Sequence, residues 1–350
     1  MFTKTYRQAI ADSMNYALNQ YANTLIIGQG VSDFKGIFGT TTGLAQKYPD
    51  RVIESPLAED SIAGICIGAS LNGMYPINTH IRADFGLLTF NQLINLAAKY
   101  KYMFGGLFEI PMMVRMIIGR SWGQGAQHSQ SLQSLLSHIP GLVVVMPSTA
   151  QSVLESYKYA IDKFKGPVIF LEHRLLYELQ FEIAQKKMPN PLFGSIMVRT
   201  GTDVTVVATS VMVLEVKRAA EFLSKNGISI EIIDMHSISH PDIEMIINSV
   251  KKTGKLLVVD TSWTRFGVVS EINRIINEFD PSILKSRMRG MGMQPSPCPT
   301  SKSLEDIFYP NLRDIVIEVL SLVGNYHFDD SNLPNRQSMV DFFKHFKGPF

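Results

Sequence analysis

Cysteine is scarce in this chain: Cys66 and Cys298 are the only two among 350 residues. Two scattered cysteines are too few for a disulfide scaffold or a thiolate zinc site, and they fit a reducing compartment. No run of about 18 uncharged apolar residues occurs, and the opening MFTKTYRQAIADSM lacks the pattern of a secretory signal. The sequence therefore predicts a cytoplasmic protein without a membrane partner.

The chain also lacks an excess of positive or negative charge. The chain has 33 Lys and Arg against 31 Asp and Glu, which leaves a net charge of +2. Such a balance does not indicate the strongly basic surface that is typical of nucleic-acid-binding proteins. With 45% hydrophobic and 18% charged residues, the composition is that of an ordinary globular protein. The length predicts two domains, at about 150 residues each.

Several motifs that carry chemistry are also absent. Without a G-x-S-x-G elbow, the chain does not read as a Ser-His-Asp hydrolase. No G-x-G-x-x-G follows a strand, which argues against a nicotinamide or flavin site of its own. Neither H-E-x-x-H nor a Cys/His cluster is present, so we expect no metal ion held by this chain alone. The Gly- and Thr-rich loop 29–43 has the composition of an anion cradle but lacks the P-loop pattern.

What the sequence does contain is an alternation of short apolar strands and amphipathic helices. Continuous apolar runs are typical of parallel strands covered on both faces, so we expect an α/β protein with two doubly wound sheets. We place the first, mostly parallel unit at 1–185, a linker at 186–198, a second α/β unit at 199–324 and an extension at 325–350. The predicted strands are 24–28, 51–54, 76–81, 111–118, 141–146, 166–171, 203–208, 229–234 and 255–260. The predicted helices are 4–21, 44–48, 58–71, 87–104, 149–163, 212–226, 241–253 and 267–279.

The stretch 53–85, IESPLAEDSIAGICIGASLNGMYPINTHIRADF, holds the first candidate residues. Glu59 lies in the first turn of a predicted helix, directly after a strand, and Phe85 lies just beyond the next strand. Sites in open α/β sheets gather at the carboxyl ends of strands, which makes Glu59 a candidate for chemistry. Alternatively, Glu59 only complements the positive end of the helix dipole.

Histidines supply the other candidates. His128 lies in GQGAQHSQS, a glycine-rich loop between a strand and a helix, and such loops often carry catalytic groups. A surface or capping histidine is the alternative. His80, in the strand before Phe85, and His173, at another strand end, are further candidates for the same cleft.

Specific stretches of the chain match a known family. AEDSIAGICIGA and GAQHSQS occur in the family's order, together with IIGQGVSDFKGIFGTTTGL, GTDVTVVATS and VDTSWTRFG. From about residue 4 to 323 the chain resembles the β subunit of the thiamine-diphosphate-dependent decarboxylase component of 2-oxo acid dehydrogenases. The resemblance implies a pyrimidine-binding domain followed by a transketolase-like C-terminal domain.

The resemblance also implies a role for each matching position. Glu59 corresponds to the glutamate that binds N1′ of the aminopyrimidine ring of thiamine diphosphate and serves acid–base chemistry there. Phe85 corresponds to the aromatic residue that stacks on that ring. His128 corresponds to the histidine near the substrate, where it binds a carboxylate or transfers a proton.

One family signature is missing. Enzymes of this superfamily bind Mg²⁺ and the diphosphate through a GDG motif, and no GDG occurs in this chain. The resemblance therefore implies an α subunit that supplies the diphosphate half of the site, in an α₂β₂ heterotetramer. A lipoyl-bearing acyltransferase and a small 2-oxo acid are the further partners that it implies.

The chain departs from the family pattern at three places. HIRADF puts two charges, Arg82 and Asp84, beside Phe85. Gln29 and Gly30 stand where the family usually carries two acids, and GRSWGQG adds Arg120 and Trp122 to a loop of usually small residues. These residues form either a solvated rim or a polar subsite.

From these departures we hypothesise a larger polar substrate, recognised by Arg82 and Arg120 with His80 in the same cleft. Decarboxylation with transfer to a lipoyl acceptor is the leading function. Acyloin or ketol transfer to an aldehyde or sugar is the alternative, and a non-catalytic scaffold subunit is the third. The joint presence of Glu59 and His128 argues against a scaffold.

Overall fold

The apolar runs of the sequence form two separate sheets in the computed structural model, which describes residues 2–119, 123–184, 187–324 and 330–335. The strands are β1 (Phe2–Thr5), β2 (Thr24–Gly28), β3 (Val52–Glu54), β4 (Tyr75–His80), β5 (Met112–Ile118), β6 (Val143–Val145), β7 (Pro167–His173), β8 (Gln180–Ile183), β9 (Ile196–Arg199), β10 (Val204–Ala208), β11 (Ile230–Asp234), β12 (Leu256–Trp263) and β13 (Arg289–Met293).

Helices connect these strands and cover both sheets. They are α1 (Tyr6–Gln20), α2 (Gly36–Gly39), α3 (Leu44–Lys47), α4 (Glu59–Leu71), α5 (Ala83–Gly86), α6 (Tyr100–Met103), α7 (Gln133–Ser137), α8 (Ala150–Asp162), α9 (Met212–Ser224), α10 (Ile243–Thr253), α11 (Val268–Phe279), α12 (Lys302–Phe308) and α13 (Leu312–Val323). None of the helices in the described ranges is long and apolar enough to cross a bilayer.

The first sheet has six strands in the order β3-β2-β4-β5-β7-β6, and every pair is parallel. All seven residues of β5 and of β7 are buried, as the continuous apolar runs predicted. Alternate residues serve two cores: Met113 packs with α1 and α8, whereas Met116 packs with α4. The predicted doubly wound arrangement is therefore confirmed.

The second sheet has five strands in the order β13-β12-β10-β11-β9. Its pairs are parallel except for β9, which runs antiparallel to β11 at the edge. This is a second α/β layer, as expected. Strand β9 begins inside the range that we predicted as linker, and the domain bounds themselves stay a prediction.

Four strands were missed by the sequence prediction: β1, β8, β9 and β13. All are short and mostly half-buried or exposed, so they lack the apolar runs that marked the central strands. The predicted helix 4–21 accordingly begins later, at Tyr6. There Thr5 accepts a hydrogen bond from Gln8 N at 3.1 Å and donates its own N–H to Gln8 Oε1 at 2.9 Å, a capping box that separates strand from helix.

The single helix predicted over 87–104 is also wrong. The segment forms a 3₁₀ turn (Leu87–Thr89), a π-helix (Asn91–Ala97) and then α6. The Ala98 N–H donates to the Leu93 carbonyl at 2.9 Å, five residues back, as a π-helix requires. Only part of the apolar face is buried: Leu93 and Ala97 are, whereas Leu88 is 60% exposed.

The two units meet where β6 ends. Met146 N donates to the His236 carbonyl at 2.8 Å, and Ile238 N donates to the Val144 carbonyl at 2.9 Å. Ser148 Oγ donates to Asp234 Oδ2 at 2.5 Å, which places a hydroxyl of the first unit on a carboxyl of the second. Burial raises the pKa of Asp234 to about 7, above its ordinary value of 3.8.

We expect Asp234→Asn to stabilise the protein at alkaline pH. Because the folded state holds the Asp234 proton more tightly than the unfolded state, this carboxyl supports folding below pH 4, and that support is lost as pH rises through about 7. The Asn side chain is neutral at every pH, so the variant does not lose this stability as the pH rises. Denaturant titrations should show a gain in unfolding free energy that is roughly 2–3 kcal/mol larger at pH 8 than at pH 5. Asp60→Asn, at an exposed aspartate, is the control. Identical pH profiles for wild type and Asp234→Asn would contradict the prediction.

Candidate active site

The carboxyl ends of parallel strands meet at one edge of the first sheet. Strands β2, β3, β4, β5 and β7 end there, at Gly28, Glu54, His80, Ile118 and His173. The segments that follow these ends carry the candidate residues of the sequence analysis. A cleft at such an edge is the usual ligand site of an open α/β sheet.

Glu59 is the first residue of α4 and is 9% exposed. Its Oε1 accepts a hydrogen bond from Gln29 Nε2 at 3.1 Å, so the loop after β2 holds the carboxylate in place. Sequence reasoning treated Gln29 only as the loss of a family acid and missed this contact. The available signal was its position directly after a strand of the same sheet edge.

His80 is a buried neutral group beside Glu59. Burial lowers its pKa to about 4, although the negative charge of Glu59 acts in the opposite direction. Its ring is therefore uncharged near neutral pH. In the described part of the chain, His80 Nε2 has no hydrogen-bond partner. A buried polar atom without a partner is unusual and is frequently satisfied by a ligand or water.

Phe85 and His128 lie together although 43 residues separate them. Their ring centroids are 5.4 Å apart with an interplanar angle of 80°, an edge-to-face contact. Phe85, in α5, is 39% exposed, so part of the side chain is accessible. Helix α5 lies close against β5, since a Cβ on Gly86 would stand 2.8 Å from Met116 Cε.

The chain matches two protein-family models and several known proteins. The family model of the transketolase pyrimidine binding domain matches residues 3–180, and that of the transketolase C-terminal domain matches 195–315. The β subunit of acetoin:2,6-dichlorophenolindophenol oxidoreductase from Cupriavidus necator is 38% identical over 80% of this chain and 82% of its own length. The mitochondrial pyruvate dehydrogenase E1 component subunit beta of Bos taurus is 36% identical over 90% of this chain and 89% of its own length.

The chain belongs to the 2-oxo acid dehydrogenase E1 β-subunit family. A solved structure described as a split gene transketolase, inactive beta4 tetramer, covers 91% of this E1 β subunit and 98% of its own chain with a TM-score of 0.75. At 19% identity, that likeness shows the shared two-domain fold.

Arg82 of this E1 β subunit is 3% exposed, and its Nη1 donates to the Gly119 carbonyl at 3.3 Å. Burial lowers the pKa of Arg82 to about 10, while the nearby Asp84 carboxylate raises it. The guanidinium thus contacts the backbone at the start of the His128 loop. Its predicted role in substrate recognition stays a prediction. Arg120 and Trp122 lie outside the described residues.

His173 is buried beneath the same loop. Its Nδ1 accepts a hydrogen bond from Leu175 N at 3.3 Å, and a Cβ on Gly119 would stand 2.4 Å from its Nε2. Gly119, at a φ of 96°, therefore allows the loop to leave β5 across the imidazole. This packing places the His173 ring below the start of the loop, and its predicted place in the cleft stays a prediction.

A small cavity of about 200 Å³ adjoins the His128 loop on the side of the second unit. Ser129 and Gln130 line it from the loop, and Trp263, Pro297 and Phe308 line it from the second unit. The loop thus lies between the sheet edge that carries Glu59 and a mostly apolar wall.

The donor set fits one end of thiamine diphosphate. Glu59 offers a hydrogen-bonded carboxylate, Phe85 a partly exposed aromatic ring and His80 an unpaired neutral nitrogen, which suit an aminopyrimidine ring. Within the described ranges, no group of three or more His, Cys, Asp or Glu side chains is placed to hold a metal ion.

Proposed function

We propose that this chain is the β subunit of a heteromeric thiamine-diphosphate enzyme that decarboxylates a 2-oxo acid and passes on the acyl unit. The observation that carries the proposal is that the buried Glu59 carboxylate and the Phe85–His128 ring pair follow strands that end at one sheet edge. The family and its pyruvate dehydrogenase relatives support the same reaction class. The lipoyl acyltransferase as acceptor and the cytoplasmic location stay predictions.

Each of the three residues has a defined task in this proposal. The cofactor, when bound, supplies the nucleophilic carbon and the electron sink that 2-oxo acid cleavage needs. Glu59 holds or releases a proton at N1′ of the pyrimidine, and the Gln29 amide keeps its carboxylate oriented. Phe85 stacks on the pyrimidine ring. His128, in contact with Phe85, stabilises the ionised carboxylate of the substrate or transfers a proton to the reacting part of the substrate in a later step.

The diphosphate and Mg²⁺ are held by an α subunit in this proposal, with the assembly being α₂β₂. The missing GDG motif supports the partition. Large apolar side chains exposed around the half-site support a partner surface: Leu57 (84%), Ile65 (58%) and Leu88 (60%) flank Glu59 and Phe85. Exposed apolar groups that cluster in this way are typical of a subunit interface.

A second candidate is a thiamine enzyme that acts on an acyloin. The name of the Cupriavidus necator relative includes acetoin, which is an acyloin, and that relative is 38% identical. The same half-site serves both reactions, because each breaks or forms a C–C bond beside a carbonyl. The scaffold alternative has less support, since a scaffold does not need Glu59, Phe85 and His128 together.

The test is co-expression of this chain with its α partner, followed by calorimetry with thiamine diphosphate and Mg²⁺. We expect the pair to bind the cofactor at least 100-fold more tightly than this chain alone, because neither chain by itself holds both the pyrimidine and the diphosphate of the cofactor. Release of carbon dioxide from a panel of 2-oxo acids would then identify the substrate. Acetoin cleavage without carbon dioxide release would favour the second candidate. A pair that binds no cofactor would refute both and leave the scaffold.

A further inference from the structure

We propose that Asp84 is a positioning residue that holds His128 in place against Phe85. The inference deepens the proposed function, because it concerns the histidine that acts on the substrate. Nothing in the sequence assigned a task to Asp84 beyond a charge beside Phe85. The described contacts connect it directly to the segment that carries His128.

Two hydrogen bonds make this connection. Asp84 Oδ1 accepts from the backbone N–H of Gln130 at 3.2 Å and from Gln130 Nε2 at 3.0 Å. Gln130 lies two residues after His128, and Phe85 follows Asp84 directly. One carboxylate oxygen of Asp84 therefore fixes the distance between the segment that carries Phe85 and the segment that carries His128.

The rest of the loop is held elsewhere. Arg82 bonds the Gly119 carbonyl at the start of the loop, 3.3 Å away. On the opposite side, a Cβ on Gly125 would stand 2.8 Å from Thr300 Oγ1, so the loop packs closely on the second unit. Ser131, one residue after Gln130, is also held, by Thr261 and Ser262 of the second unit. Asp84 supplies the hydrogen bonds closest in sequence to His128, and the other contacts limit the movement of the loop when those bonds are lost.

The negative charge of Asp84 strengthens the two hydrogen bonds that it accepts from Gln130. The side chain is 8% exposed, and burial raises the pKa of Asp84, whereas the Gln130 hydrogen bonds and the Arg82 guanidinium lower it. Donors to an ionised carboxylate form stronger bonds than donors to a neutral oxygen. An amide at this position would keep a carbonyl acceptor without the charge, so Asn is the conservative variant.

Hydrogen exchange on the full chain tests the proposal without any cofactor. Asp84→Ala should accelerate exchange of the Gln130 amide tenfold or more, and Asp84→Asn should restore part of the protection. Asp242→Ala is the matched control, since Asp242 accepts from Met245 N at 2.9 Å and caps α10 in the second unit. This control should leave exchange at Gln130 unchanged. Unchanged exchange in Asp84→Ala, or equal acceleration in Asp242→Ala, would overturn the proposal.

A second arm uses the assembled enzyme. Asp84→Ala should lower kcat tenfold or more and change the affinity for thiamine diphosphate less than threefold, because the histidine moves and the pyrimidine contacts stay. Should Asp84→Ala fail to fold, Gln130→Ala removes one of the two bonds and should give a threefold or larger acceleration of exchange. If the assembled complex binds no cofactor, the proposed function is refuted but the positioning role of Asp84 is not, since the hydrogen-exchange result does not depend on cofactor binding. Loss of cofactor affinity in step with kcat would overturn the positioning role.

Discussion

Glu59→Gln should lower the turnover of the assembled enzyme by about 100-fold to 10,000-fold, the range in which a positioned acid–base group contributes. The amide has the size of the carboxylate and still offers an oxygen to Gln29, so the hydrogen bond of 3.1 Å can be kept. It cannot take up or release a proton at the pyrimidine. The fall should therefore appear in kcat measured at saturating cofactor and substrate, with a smaller change in KM.

The next residue of α4 provides a matched control. Asp60 is exposed, and its carboxylate accepts from Ser61 N at 2.7 Å at the surface of the helix. Asp60→Asn also removes one negative charge from the first turn of α4. It should leave kcat within about twofold of the wild-type value, because surface contacts of this kind contribute little. A comparable loss in both variants would mean that the helix dipole, and not the buried acid, is responsible.

Arg115→Met should reduce the free energy of unfolding by about 3–5 kcal/mol, since it breaks a buried ion pair and leaves one charge behind. Arg115 Nε and Nη2 donate to the two oxygens of Glu172 at 2.6 Å and 3.0 Å. Both side chains are fully buried between the neighbouring strands β5 and β7. Tyr157 and Tyr177 also donate their hydroxyls to Glu172, and these two bonds alone would remain.

The same variant should loosen the loop that follows Gln29. Arg115 Nη2 donates to Thr40 Oγ1 at 3.1 Å, beside Ile37 and Phe38, whose φ angles of 42° and 55° are strained for such side chains. Denaturant titration measures the stability loss, and protease cleavage within 33–42 measures the loosening. Arg274→Met, at an exposed pair with Glu271, is the control and should leave the denaturation midpoint unchanged. Equal midpoint shifts in both variants would contradict this account.

Much of the first sheet was predictable because its central strands are buried along their whole length. Runs such as PMMVRMII carry that signal in the sequence itself, and Thr149 marks the start of α8 by its side-chain cap. Glu59, Phe85 and His128 were proposed from strand ends and family motifs. Strands β1 and β8 were missed by the sequence prediction. Each is stabilised by pairing with the other, at the opposite end of the first unit's sequence, and neither contains an apolar run of its own.

The sequence by itself determined the α/β class, with its buried strands and amphipathic helices, and the family. It also proposed Glu59, Phe85 and His128 as the half-site, and their roles stay predictions. Only the tertiary structure decided which distant groups contact one another. Gln29 reaches Glu59 across 30 residues, Gln130 reaches Asp84 across 46, and Arg115 reaches Glu172 across 57. Burial patterns are local properties of the chain, whereas these hydrogen bonds depend on the register of parallel strands, which brings distant strand ends to one edge.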